Sequence, residues 1–140
     1  MVIQRWQSVY LLLAIFAMIL VFIRPFGVVT DPSLEAPVEL VSLDYPIFLT
    51  VNILVTVLLL IDIFLFKNLK HQRLVAAVCI LLILTSSVTA FLIISGAGEF
   101  SRIAWTGAPV GLVCALICTI FARYRMGQDE KLLKSYDRLR

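Results

Sequence analysis

Asp62 is the one ionisable side chain inside an apolar run of this chain, and it stands five positions before Lys67. A carboxylate at a helix centre in lipid costs about 2.5–3.5 kcal/mol, so such a residue is a candidate functional site by default. Two chemistries suit it. It can bind a proton or a cation, or it can pair with a basic residue at the rim of the membrane. Five residues of helix place it only about 7 Å from the boundary marked by Lys67. The expected role is therefore the rim ion pair, with Lys67, Lys70, Arg73, Arg5 or Arg123 as partner.

The other polar side chains within apolar runs are weaker chemistry. Asn52 is placed to bond across to a neighbouring helix. Thr85, Ser86, Ser87 and Thr89 would line a pore, but small hydroxyls more often bond back to their own helix and let neighbours approach. Cys79, Cys114 and Cys118 lack the spacing of a metal site or a CxxC pair, and read as small apolar packing residues. The lone His71 falls between runs, so no intramembrane histidine is present to ligate haem. There is no P-loop, nucleophile elbow, paired carboxylate or zinc motif. The expectation is a protein that is not an enzyme, holds no cofactor and binds no nucleic acid.

The elements that position these residues follow from composition. Of 140 residues, 61% are hydrophobic and 15% charged. Soluble domains run at about 45–50% apolar and about 25% charged. The excess lies in four blocks, at about residues 6–23, 46–66, 74–95 and 108–126. Each is long enough, at 1.5 Å per residue, to cross a hydrocarbon core of about 30 Å. Lipid offers no hydrogen bonds, so each block must be a helix. The predicted fold is an all-α integral membrane four-helix bundle, with a transmembrane domain over residues 1–127 and a tail over residues 128–140.

Orientation follows from Lys and Arg. Of the 12, all but Arg24 and Arg102 fall before the first block, between the second and third, or at the end of the fourth and beyond it. The positive-inside rule then puts both termini of a multi-pass protein in the cytoplasm. Trp6, Tyr10 and Tyr124 mark the inner interface, Tyr45 and Trp105 the outer one. No small-x-small cleavage site follows the first block, which is read as an uncleaved span. The first outer loop contains Pro25, Pro32 and Pro37, against a long helix, and "VELVSLDY" reads as no more than a short strand-like stretch.

Gly127 is expected to stop the fourth helix. Asp129 and Glu130 would start another, and Leu132, Tyr136 and Leu139 give it one apolar stripe. This short amphipathic cytoplasmic helix is below the length that is stable in water and needs a surface: lipid headgroups, its own bundle or another protein. Gln4, Arg5 and Gln7, with Asp129, Glu130, Lys131, Lys134, Asp137 and Arg138, form a candidate cytoplasmic docking surface. Gly107, Gly111, Ala115 and Thr119 recur at steps of four as a candidate helix-packing ridge. Whether that ridge meets a neighbour in the chain or a second copy is open at this point.

Both ends carry a resemblance. "MVIQRWQSVYLLL" and "DEKLLKSYDRLR" resemble the termini of a family of small four-span inner-membrane proteins of the Bacteroidetes, catalogued only as a domain of unknown function. Ile3, Gln4, Arg5, Gln7, Ser8 and Tyr10 match its start; Asp129 to Leu132, Lys134, Ser135 and Asp137 to Arg140 match its end. The resemblance implies a location and a topology and no activity. The leading expectation is a scaffold or accessory subunit in the lipid bilayer, docking a membrane-protein or cytoplasmic partner or a second copy. The alternatives are a small proton- or cation-coupled transporter using Asp62, and a lipid-surface-associated protein whose basic tail lies on anionic headgroups.

Overall fold

The structure, a computed structural model, describes residues 3–30, 36–65, 68–96 and 103–138. Four helices carry the chain: α1 (Ile3–Ile23), α2 (Pro46–Phe64), α3 (Leu69–Gly96) and α4 (Gly107–Arg138). All four are long and apolar enough to cross a membrane. Pro46 opens α2 where an N–H would have no partner in any case, and its fixed φ suits the first turn.

The helices run up-down-up-down. Each packs on its neighbours in sequence, and α1 closes the ring against α4 in the largest interface of the four. One end holds a three-stranded antiparallel sheet of β1 (Gly27–Val29), β2 (Val38–Leu40) and β3 (Ile103–Trp105), in the order β2-β1-β3. Gly27 is registered with Leu40 on one side and Trp105 on the other, so the two loops at this end are tied into one lid. Beneath it Phe26 is fully buried against the rings of Tyr45 and Phe48, with centroids 5.7 and 5.1 Å away. The Ser42 hydroxyl donates to the Val21 carbonyl at 2.7 Å, satisfying one of the carbonyls left over at the end of α1. Thr106 donates likewise to the Pro25 carbonyl. The turn between α2 and α3, the start of α1 and the end of α4 lie at the opposite end.

The interior is a seam with a seven-residue period. The buried positions of α2 are Phe48, Asn52, Val55, Leu59 and Asp62; those of α3 run Gln72, Ala76, Cys79, Ile83, Ser86, Ala90 and Ile94. Gln7, Leu11, Ala14, Met18 and Val21 continue the pattern in α1, and Ala115, Thr119, Ala122, Met126 and Asp129 in α4. Alternating steps of three and four keep one stripe facing a bundle axis. The outside is the more apolar surface: Phe16, Leu81, Val88, Leu92 and Phe121 are all more than half exposed, while Asn52, Ser86 and Thr119 are fully buried. A soluble bundle has the reverse distribution.

Two expectations are corrected. The all-α bundle acquires a small sheet, of which the strand-like "VELVSLDY" segment supplies β2. The second concerns Gly127, which neither stops α4 nor divides it from a separate tail helix: α4 continues unbroken for 32 residues. Glycine inside a helix costs only about 1 kcal/mol. Ending the helix there would leave four carbonyls without partners. The side chains that follow also tie the helix to its neighbours, as described next. A 32-residue helix is about 48 Å long, which is more than the crossing of a hydrocarbon core of about 30 Å requires.

Candidate functional site

Polar side chains gather at the end of the bundle opposite the sheet. The first group is buried. Gln7 of α1 donates through its side-chain amide to the Asp129 carboxylate of α4; both are on the interior seam, 1% and 7% exposed. The next residue, Glu130, accepts from Arg73 of α3 at 2.9 Å and from Lys134 of its own helix at 2.8 Å. Two successive residues of α4 thus fasten α1 on one side and α3 on the other.

The candidate docking surface is therefore redistributed. Gln7 and Asp129 face inward and bond each other, and Glu130 is engaged with Arg73 and Lys134. Lys131 and Lys134 are exposed, as are Leu132, Leu133 and Tyr136 of the predicted apolar stripe. The side chains of Gln4, Arg5, Asp137 and Arg138 lie outside the described residues. So does Leu139.

Glu130 stands about 34 Å along α4 from Gly107, more than the roughly 30 Å of a hydrocarbon core. Lys134 first, and Arg73 second, hold its carboxyl below the ordinary value of 4.5. A depressed carboxyl contributes where it is ionised and loses that contribution as pH falls through its folded value. The Arg73–Glu130 clasp should therefore persist through neutral pH and down to about 4.5, and release only below it. A carbon-13 titration of the Glu130 carboxyl in micelles checks this. A midpoint above 4.5 would contradict the pairing.

The second group surrounds Asp62. Among the described residues, Asp62 forms no rim ion pair. Asp62 is fully buried, and neither carboxylate oxygen has a hydrogen-bond partner among the described residues. The reason is rotational: Asp62 follows Leu59 on the interior stripe of α2, whereas Lys70 and Arg73 are on exposed faces of α3 and Arg123 on an exposed face of α4. Arg73 is turned to Glu130. Lys67 and the Arg5 side chain lie outside the described residues.

Gln72 joins Asp62, and sequence reading passed over it. Its amide donates to the Asp62 backbone carbonyl at 3.1 Å, and its own carbonyl oxygen is buried without a partner among the described residues. It stands just ahead of the expected third span, in a segment that reads as a polar loop. The signal that would have found it is its step of four to Ala76 and seven to Cys79, which continues the interior stripe of α3. Among the described residues, three buried acceptor oxygens without a donor thus belong to Asp62 of α2 and Gln72 of α3. Chemically, such a cluster suits a proton, a cation or a water.

Deeper in the seam, the Ser86 hydroxyl donates to Asn52 Oδ1 at 2.8 Å, and Asn52 Nδ2 donates to the Phe48 carbonyl at 2.9 Å. This fastens α3 to α2 by the interhelical bond expected of Asn52. Thr85, Ser87 and Thr89 bond back to carbonyls of α3. Cys79 is in the core, Cys118 is half-buried and Cys114 faces outward; all three are free thiols. Tyr10 and Phe121 stack across α1 and α4 at 5.9 Å.

The candidate ridge divides. Gly111 lies against the backbone of α1: a Cβ there would meet the Ala17 carbonyl oxygen at 2.8 Å and Val21 Cγ2 at 3.1 Å. Ala115 and Thr119 continue the contact, both fully buried, with the Thr119 hydroxyl donating to the Ala115 carbonyl at 2.7 Å. Gly107 is exposed with open space around it and is no part of the ridge. The ridge therefore faces a neighbour within the chain.

Residues 3–139 match the family described as "Domain of unknown function (DUF4293)". No curated protein and no solved structure matches the chain.

Proposed function

The chain belongs to the DUF4293 family, whose function is unknown, and from that premise we propose that it is a multi-pass inner-membrane protein with both ends of the bundle chain in the cytoplasm. In this reading it is a non-catalytic scaffold or accessory subunit whose cytoplasmic face docks a partner or a second copy. The observation that carries the reading is the last part of α4. It continues past the length that a bilayer crossing requires, fastened to α1 and α3 by Gln7 and Arg73, with Leu132, Leu133 and Tyr136 exposed. Exposed apolar residues on a stiff, charged helix are what a partner helix or surface would cover. Lys70, Arg73, Arg123, Arg125, Lys131 and Lys134 all sit at this end and Arg24 at the other, which supports the cytoplasmic assignment. The chain has no motif for nucleophile, metal or phosphate chemistry, which supports a non-catalytic role.

The test is purification from native membranes in mild detergent, side by side with a Leu132→Glu/Tyr136→Glu double variant. A stoichiometric partner, or a dimer, should accompany the native chain and be lost from the variant. Recovery of the native chain as a lone monomer would contradict docking.

A second reading is favoured by one observation, the partnerless Asp62 carboxyl beside the Gln72 carbonyl. It makes the protein a small proton- or cation-coupled transporter. Substrate-dependent proton flux in liposomes, abolished by Asp62→Asn, would support that reading. The same flux with Asp62→Asn would sink it.

A further inference from the structure

A groove of about 1040 Å³ runs between α3 and α4 at the end of the bundle opposite the sheet. Its walls share one gradient. On α3, Arg73 is followed two turns later, about 10 Å along the axis, by Ile80. On α4, which runs the other way, Ile120 is followed by Arg123 and Tyr124, and beyond them by Gly127 and Lys131. Both walls are therefore apolar at the membrane side and carry the groove's cations at the outer side, where Leu132 and Ser135 stand beside Lys131. Gly127 leaves the middle of the groove open, since a Cβ there would meet nothing within 4 Å. Glu130 neutralises Arg73. Arg123 and Lys131 have no ion pair among the described residues, so the outer end keeps a net positive charge.

From this we infer that the groove is a binding site for one anionic glycerophospholipid, with its phosphate between Arg123 and Lys131 and an acyl chain along Ile80 and Ile120. Charge complementarity selects the headgroup, and the aligned gradient of the two walls selects a molecule with an anionic head and an apolar tail over an inorganic anion. Tyr124 sits at the level where aromatic rings meet headgroups. The glycine that sequence reading takes for a helix stop is then what makes room for the lipid. The inference rests on the membrane reading proposed above, and not on whether α4 docks a partner.

The test uses the full chain in mixed micelles of dodecyl maltoside with equimolar dioleoylphosphatidylglycerol and dioleoylphosphatidylcholine. Lipid retained per chain is counted by native mass spectrometry. The glycerol lipid should be retained about tenfold or more over the choline lipid, because each basic side chain is worth roughly fivefold near an anionic lipid. Arg123→Gln/Lys131→Gln should bring the two lipids level. Gly127→Leu keeps every charge and should fold, since space is open and leucine favours helix. It should nevertheless lose the preference by filling the groove. Equal retention of the two lipids by the native chain would overturn the inference. So would a Gly127→Leu variant that keeps the full preference, which would place the lipid on a charged surface rather than in the groove. Displacement of the lipid by millimolar inorganic phosphate would reassign the site to a free anion. A chain that dissolves without detergent would instead overturn the membrane reading itself.

Discussion

Gly111→Leu is expected to separate α1 from α4 and cost more than any other single substitution in the bundle. The site has no give. The nearest atom to an added Cβ is a backbone oxygen, Ala17 O at 2.8 Å, and it belongs to a helix that cannot rotate away like a side chain. Overpacking a well-filled core typically costs about 1–3 kcal/mol. Here a whole isobutyl group must be placed where the first carbon already collides, so about 3 kcal/mol or more is expected. Gly111→Ala should cost less, because alanine recovers about 1 kcal/mol of helix propensity while the helices part by a few tenths of an ångström. Gly107→Leu is the control, with open space around it, and should be close to neutral. SDS titration in mixed micelles measures all three. Loss of the Tyr10–Phe121 stack should accompany only the Gly111 variants. Equal tolerance of leucine at 107 and 111 would mean that α1 and α4 do not touch as described.

The second large effect has the opposite sign. Asp62→Asn should stabilise the bundle, although it alters a fully buried polar residue. A buried group without a partner costs about 1–3 kcal/mol, and more when charged. Asparagine removes the charge and adds donors. Asn52, ten positions earlier on the same stripe of α2, shows where one such donor goes: back to the carbonyl four residues before it. An increase of about 1–3 kcal/mol in the same SDS titration is expected. Asp62→Leu should also be tolerated, because an apolar residue in place of an unpaired buried carboxyl is often neutral or stabilising. Destabilisation by Asp62→Asn would instead reveal a partner that the carboxylate needs. It would return Asp62 to the rim ion pair that its distance from Lys67 suggests.

The burial of Asp62 says what a sequence of this kind carries. Four helices of spanning length are legible because length and apolar content are all that a bilayer crossing demands. Facing is not legible. In a soluble helix the polar residues mark the outside; here nearly every residue of α2 is apolar, so Leu59 and Leu60 look alike although one is in the core and the other exposed. The informative residues are the few polar ones, and they mark the inside. Read as an inward stripe, Asn52 and Asp62 at a spacing of ten predict that Asp62 turns away from the basic rim. The α1–α4 docking was partly legible through Gly111 and Ala115, because small residues at a step of four make close contact. That Gly107 lies outside it depends on where the helix begins.

The end of α4 was misread for a different reason. Gly127 is a strong local stop signal, and its cost in a helix interior is about 1 kcal/mol. That is less than the combined effect of Asp129 reaching Gln7 and Glu130 reaching Arg73, partners 122 and 57 positions away. Contacts so distant in sequence are invisible to a local reading. The resemblance of the two ends to one family was nevertheless informative, since the matched residues Gln7 and Asp129 bond each other across the bundle.

The central claim is that α4 leaves the membrane as a continuous helix on the cytoplasmic side, the same side as the start of α1. Ser135 is exposed on that extension and donates only to its own helix, so Ser135→Cys is a silent place for a label. Membrane-impermeant maleimide applied to sealed spheroplasts should leave this cysteine unlabelled, and applied to inverted membrane vesicles should label it fully. Labelling at Ser135→Cys in the sealed spheroplasts would contradict the account.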